Sequence, residues 1–453
     1  MDSIQTIVAF IITLGLLVSV HEYGHFWVAR RCGIKVIRFS VGFGRPLFRW
    51  RDKLNTEYVI AMIPLGGYVK MLDEREDPVP EHERHMSFNS KSVWSRIAVV
   101  AAGPIANFLL AIVALWIMYM VGVRAVIPVV GSVLPDSPAD KAGLMVNSEI
   151  TAVDGRATSS WNDVNMALLQ SIGETKTISL AVHPFSSPAS VPEMKDISVK
   201  NWLVGDEQPS PVRGLGIVPW SPDVPAVIGQ IVPDLAAERA GLQKGDKVIA
   251  MNGAAVNNWE DWVGEIRSSM GKPLEVTVER NGQRITIDLI PGEKSLADGT
   301  KIGYIGAGSS PFTWPEDHVR EIRFGPVAAL GVAAEETASL SFLMVDSLRK
   351  MITGLVSVSN LSGPITIARA AGASIKSGFE SFLGFLAMLS VSLGVINLLP
   401  VPVLDGGHLL YHFVELIRGK PLSEKAQMFG MRIGLALILG VMFVAIFNDL
   451  SRL

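Results

Sequence analysis

From Ile4 to Val20 the chain carries no charged residue, and the run ends on His21-Glu22-Tyr23-Gly24-His25. This juxtaposition limits the fold more than any other stretch. An uncharged segment of this length reads as a helix crossing a membrane, and ionisable groups at its end are costly enough to point to function. Positions i and i+4 of a helix project from one face, so His21 and His25 can grip one metal ion. Glu22 lies beside them, free to act on water rather than to bind the metal. H-E-x-x-H also occurs on ordinary solvated helix faces; its place at the end of an apolar run makes a zinc hydrolase the first hypothesis.

Composition points to a membrane setting. With 453 residues, 49% of them hydrophobic, and a mean hydropathy of +0.35, the chain is too apolar for an ordinary soluble protein of its size. A formal net charge of −3 without a basic stripe argues against nucleic acid as a partner. Cys32, the single cysteine, excludes an intrachain disulfide and reads as a small apolar filler near a helix end. Asp2 stands where a signal peptide has basic residues, and no small-x-small site precedes His21, so the first apolar run reads as a retained span.

Four spans are predicted, over 4–29, 97–123, 379–399 and 429–447. Arg30, Arg31, Lys35, Arg38, Arg45, Arg49, Arg51 and Lys53 follow the first, and Arg418, Lys420 and Lys425 separate the third from the fourth. By the positive-inside rule these stretches are cytoplasmic, which puts both termini outside and the histidine motif toward the inner face. The stretch 327–354 is apolar only in part, and Glu335, Glu336, Asp346, Arg349 and Lys350 make it a predicted helix on the outer membrane surface. Thr56 to Met71, β-branched and aromatic with Pro64 and Gly66-Gly67, reads as two short strands around a turn. Such strands must lie against the helices or in a wet cavity, because open backbone is not tolerated in lipid. Asp73 to Ser95 reads as a polar loop with His82 and His85 solvated. Near the start of the second span, Gly103 and Pro104 permit close helix approach and Asn107 requires a partner.

Between the second and third spans the chain repeats itself. Pro135-Asp136 and Ala142-Gly143-Leu144 recur as Pro233-Asp234 and Ala240-Gly241-Leu242, 98 residues on, and the same offset carries Gly155 to Gly253 and Trp161 to Trp259. Two copies of one domain follow. In the second, Ala240-Gly241-Leu242, Gly245-Asp246 and Asn252-Gly253 around a Val-Ile strand resemble the hallmark of bacterial PDZ domains, whose sheet edge accepts a peptide strand. The first copy departs at Asn147 and Glu149, which leaves its groove less defined. A purely steric role for the pair stays open.

At the inner end of the third span stands Asn397-Leu398-Leu399-Pro400-Val401-Pro402-Val403-Leu404-Asp405-Gly406-Gly407. Two prolines forbid a regular helix, so the span breaks there and Asp405 arrives at the depth of His21 and His25. A catalytic zinc keeps three protein ligands and an open position, and one carboxylate is what the histidine pair lacks. His408 is then predicted to make structural hydrogen bonds, and His412 to lie on a helix face. Taken in order, H-E-x-x-H at 21–25, G-P-x-x-N at 103–107, the tandem repeat and N-x-x-P-x-P-x-L-D-G at 397–406 resemble the site-2 proteases, M50-type intramembrane zinc metalloproteases, over nearly the whole chain. The resemblance implies one Zn²⁺ per chain on His21, His25 and Asp405, Glu22 as the catalytic carboxylate, and Asn397 holding the substrate backbone. It also implies that 56–71 is a membrane-reentrant β-loop meeting the substrate through Tyr58, Ile60, Gly66, Gly67 and Tyr68. Gly103, Pro104, Asn107, Pro400, Pro402 and Gly406 support the site.

The expected fold is a polytopic α-helical membrane protein of four transmembrane helices, with a membrane-associated β-loop and two soluble α/β PDZ domains between the second and third. The membrane core is divided between 1–124 and 379–453, the PDZ domains occupy 125–220 and 221–310, and a membrane-surface helical region covers 311–378. The expected reaction is cleavage of a single-span membrane protein in or near its membrane segment, which must unwind and can regain backbone bonds as an added strand. The resemblance implies a bacterial inner-membrane enzyme with its termini and PDZ domains in the periplasm. Its substrates would be an anti-sigma factor already cut outside, or leftover signal peptides; membrane lipid and PDZ peptide ligands are the further partners. A membrane-anchored PDZ scaffold with a non-catalytic metal site would be missing one of His21, Glu22, His25 or Asp405, and a metal permease would spread its ligands along several spans.

Overall fold

The uncharged run folds as α1 (Asp2–Arg31), with Arg30 and Arg31 in its last turn, where the helix dipole favours cations. The computed structural model describes residues 2–75, 78–206, 209–295 and 300–451, so positions 76 and 77 of the predicted loop lie outside the described residues. Beyond Gly33 the chain enters β1 (Val36–Arg51), returns as β2 (Glu57–Met71), and reaches α2 (Val93–Val121) through a short 3₁₀ turn, Glu81–Met86. Here the sequence reading is corrected: the basic stretch after α1 is itself a strand, and 56–71 is not a pair of strands on its own. Each strand is paired twice. Val36–Val41 runs against Gly67–Met71, Pro46–Arg51 runs against Glu57–Ala61, and Phe39–Phe43 also lies beside Tyr58–Ile63. Gly67–Met71 is thereby an outer strand.

α2 begins at Ser92, whose hydroxyl accepts the Ser95 N–H at 3.2 Å. It packs on α1 and on the helix Phe379–Leu398 through Leu17, Ala111, Ala114, Leu115, Leu386 and Val391, with alanines letting the backbones approach. Among the described residues, five helices are long and apolar enough to cross a membrane: α1, α2, Pro326–Ile352, Phe379–Leu398 and Glu424–Ser451. The chain thus combines several such helices with β-sheet units. Pro326–Ile352, expected on the membrane surface, packs against α2 and Phe379–Leu398. Three of its charges meet protein: Glu336 pairs with Arg156 at 3.0 Å, and buried Lys350 pairs with Asp346 at 2.9 Å and donates to the Gln170 carbonyl.

The sequence repeat is a repeat of structure. Each copy has a four-stranded sheet, made of 156–157, 148–153, 176–184 and 193–199 in the first and of 254–255, 247–251, 274–280 and 283–289 in the second. Each adds a two-stranded ribbon, 130–133 with 217–219 and 228–231 with 307–309. Even the isolated bridges correspond, Val129 to Glu149 and Val227 to Lys247. Ile150, Leu168, Ile178 and Ile197 fill the first core, and Val248, Trp262, Val276 and Leu289 the second. Asn147 adopts φ 59°, as its tolerance of the left-handed region allows. Glu149, the other departure, is buried and pairs with Arg320 at 3.0 Å. Arg320 belongs to strand Val319–Ile322, which pairs with Val123–Val126, so Glu149 anchors the ribbon by which the chain leaves and rejoins the helices.

Candidate active site

α1 and α2 cross where neither has a side chain in the way. A Cβ on Gly24 would overlap the Ala102 carbonyl and stand 2.8 Å from the Ala106 Cβ; one on Gly103 would overlap His25 Nε2 and stand 2.8 Å from His21 Cε1. The two imidazoles therefore lie directly on α2, buried, with ring centroids 4.9 Å apart. α2 also holds their far sides: His25 Nδ1 donates to the Val99 carbonyl at 2.8 Å, and the Asn107 carboxamide lies 3.1 Å from His21 Nδ1. Pro104 supplies no N–H to the Val100 carbonyl, which a regular helix would bond, and Val99 and Val100 form part of the site's wall.

The third contributor arrives from the other end of the chain. Phe379–Leu398 stops ahead of Pro400 and Pro402, and a new helix, Asp405–Arg418, starts on Asp405. A Cβ on Gly406 would overlap the Leu398 and Leu399 carbonyls, so glycine is what lets the broken segment fold back against the new helix. Arg96 of α2 clamps that helix through a two-pronged pair with Glu415, at 3.0 and 2.7 Å. Asp405 Oδ2 then lies 3.2 Å from His21 Nε2 and 3.4 Å from His25 Nε2, and the two Nε2 atoms are 3.3 Å apart.

These three atoms suit a metal ion. A tetrahedron with arms of about 2.0–2.1 Å, the usual zinc–nitrogen and zinc–oxygen lengths, has edges of about 3.3 Å. Asp405 Oδ2 is buried and meets no hydrogen-bond partner among the described residues, which a bound cation would supply. Glu22, His408 and the outer strand Gly67–Met71 face the same cavity of about 550 Å³, which Asp73 and Arg75 also line.

The remaining residues singled out in the sequence are distributed unevenly. Gly67 and Tyr68 line the cavity; Gly66 lies beneath the Phe43 ring. Tyr58 packs with Phe26, Phe39 and Trp50 and donates to Asp52 at 3.2 Å, and Ile60 is exposed; neither lines the cavity. Asn397 sits half-buried in the last turn of its helix and is likewise outside the lining. His408 corrects the sequence reading: among the described residues its ring makes no hydrogen bond and contacts Tyr411 edge-on, at 6.2 Å between centroids. His412 lies 3.6 Å from Glu415 and takes no part in the cluster. Sequence reasoning missed the Arg96–Glu415 clamp, whose only signal was a charge at the edge of each apolar segment. It also missed the Val99 carbonyl, which as backbone has no signal.

A carboxylate and two imidazoles gathered on one point, beside a second carboxylate and within apolar helices, define a metallohydrolase of the membrane. Residues 9–441 match peptidase family M50. The chain is 45% identical to the protease RseP of Yersinia pestis over the full length of both. It is 45% identical to the regulator of sigma-E protease RseP of Escherichia coli K12, over 98% of each chain. The regulator of sigma E protease of Haemophilus influenzae is 41% identical over the full length of both. The chain belongs to peptidase family M50, the site-2 proteases, and is, like the relative from Vibrio cholerae that is 46% identical over the full length of both and carries the name putative zinc metalloprotease, a zinc metalloprotease.

Proposed function

We propose that the protein is an intramembrane endopeptidase that cleaves single-span membrane proteins within or near the membrane segment. The observation that carries this is the convergence of His21 Nε2, His25 Nε2 and Asp405 Oδ2 beside Glu22, at a cavity walled by an outer strand. In this reading the first three are the metal ligands, and bound Zn²⁺ supplies a Lewis acid that lowers the pKa of water to about 7. Glu22 takes a proton from the attacking water and delivers it to the departing amine. Substrate carbonyls are hidden in helical hydrogen bonds until the segment unwinds, and each group left unpaired in lipid is costly. Gly67–Met71 is an outer strand lining the cavity, beside which the unwound chain can regain partners as an added strand. Asn397, one turn from the broken segment, bonds the substrate backbone in the same reading.

The arrangement in the membrane follows from the charges. Four helices, α1, α2, Phe379–Leu398 and Glu424–Ser451, span a bacterial inner membrane, with the termini and the tandem repeat on the periplasmic side and the cavity rim toward the cytoplasm. The two repeat copies act as PDZ domains that screen the external part of a substrate; the names of the Escherichia coli and Haemophilus influenzae relatives connect those proteins with sigma E, and in this reading the substrate is an anti-sigma factor already trimmed outside. Leftover signal peptides fit the same site.

The test pairs the parent with Glu22→Gln and His21→Ala on a single-span substrate in detergent. Glu22→Gln should keep its zinc and lose about 10²–10⁴-fold in cleavage, and His21→Ala should lose zinc. Equal cleavage by Glu22→Gln and the parent would remove the reading.

A further inference from the structure

Asn107 has no exposed surface. As placed, its Nδ2 faces His21 Nδ1 at 3.1 Å, while its Oδ1 is buried and meets no hydrogen-bond partner among the described residues. A buried oxygen left in that condition costs about 1–3 kcal/mol, so helix packing alone does not account for an asparagine here. Its backbone is held independently, since the Ser390 hydroxyl donates to the Asn107 carbonyl at 2.7 Å.

A neutral imidazole offers a lone pair at one nitrogen only when its proton is on the other. For His25 the choice is forced: its Nδ1 faces the Val99 carbonyl, which can only accept, so the proton is on Nδ1 and Nε2 is free. For His21 the choice belongs to Asn107, because a carboxamide can present either face. With Nδ2 toward the ring, the proton is driven onto Nε2; with Oδ1 toward the ring, Nδ1 keeps the proton and Nε2 is free. Only the second rotation leaves both Nε2 atoms able to bind a cation alongside Asp405, and a half-turn of the terminal amide reaches it.

We propose that Asn107 is a positioning residue that accepts the His21 Nδ1 proton through Oδ1 and so fixes the tautomer in which His21 holds zinc. This rests on the ligand assignment made under Proposed function. An acceptor is what the position needs, so aspartate should serve and the isosteric leucine should not.

The test measures zinc affinity by chelator competition on the purified full-length protein in detergent, with thermal unfolding as a check on folding. Asn107→Leu should weaken zinc binding by about 10–100-fold, the range for loss of a partner behind a ligand. Asn107→Asp should bind as tightly as the parent or more so, and Ser390→Ala should match the parent. Parental affinity in Asn107→Leu, or an equal loss in Ser390→Ala, would overturn the proposal. Where Asn107→Leu does not fold, Asn107→Asp decides, and a loss of about tenfold or more in that variant is fatal. His21→Ala separates the two levels: if it retains zinc, the ligand assignment is wrong, whereas if it loses zinc and Asn107→Leu does not, only the role of Asn107 is wrong.

Discussion

One methyl group on α2 should cost the protein its metal. In Gly103→Ala the new Cβ would overlap His25 Nε2 and stand 2.6 Å from His25 Cε1 and 2.8 Å from His21 Cε1, where ordinary contacts begin at 3.4 Å. The His25 ring must withdraw by more than about 1 Å and the His21 ring by about 0.6 Å, several times the ±0.2 Å within which metal–ligand distances are held. The alternative, spreading the helices, meets the Gly24 crossing and carries the cost of an overpacked core, about 1–3 kcal/mol. Zinc per chain, measured by emission spectrometry after dialysis against a weak chelator, should fall well below that of the parent, and cleavage with it. Two controls isolate the cause. Gly15→Ala, on α1 with nothing within 4 Å of its new Cβ, should be silent. Gly24→Ala strains the same crossing through the Ala102 carbonyl without touching a ring, so it should lower thermal stability while keeping more zinc than Gly103→Ala. A Gly103→Ala protein with one zinc per chain and parental cleavage would refute the argument.

Two further predictions concern charges. Arg96 and Glu415 are each 12% exposed, so Glu415→Gln strands a guanidinium and should cost about 3–5 kcal/mol, while pairing Arg96→Met with Glu415→Leu should recover much of it; purely additive losses in thermal unfolding would exclude the clamp. In the second repeat copy, burial opposes the charge on Asp246, yet the Arg280 guanidinium, with two bonds of 2.7 Å, and the Gln243 amide at 2.8 Å hold its carboxyl below the usual range. A carboxyl depressed by folding adds stability that is complete above its unfolded value, about 3.9, and is lost as pH falls through the depressed folded value. The protection of amides over 226–309 against hydrogen exchange, taken relative to the intrinsic rate at each pH, should therefore fall below about pH 4 in the parent, and Asp246→Asn should be less protected at pH 7 with a flatter dependence on acid.

What the sequence revealed about the site was carried by local pattern. His21, Glu22 and His25 share a helix face, and the prolines after Asn397 announce the break that brings in Asp405. The repeat was legible for the same reason, its turn residues recurring at one offset. What escaped depends on partners far along the chain. The alternation in Val36–Arg51 was masked by arginines whose charge gave the orientation. Glu336 and Lys350 looked like groups seeking headgroups, whereas Arg156 and the Gln170 carbonyl receive them. Glu149 looked like a defect in the first copy until Arg320, on the returning strand, supplied its counterion.

The break after Phe379–Leu398 answers an electrostatic problem as much as a geometric one. A carboxylate among apolar helices is costly unless paired and hydrogen-bonded. In the middle of an unbroken helix Asp405 would face that cost with no backbone donor free. Placed at the first position of a new helix, it lies where unbonded N–H groups and the dipole favour negative charge. The glycines that follow leave room for the Leu398, Leu399 and Val401 carbonyls, which a Cβ at either position would overlap. The helix thus starts with Asp405 beside the histidines, and Oδ2 stays uncommitted on the side of His21 and His25. Prolines that look like damage to an apolar helix thus create the helix N-terminus that an acidic side chain needs among apolar neighbours.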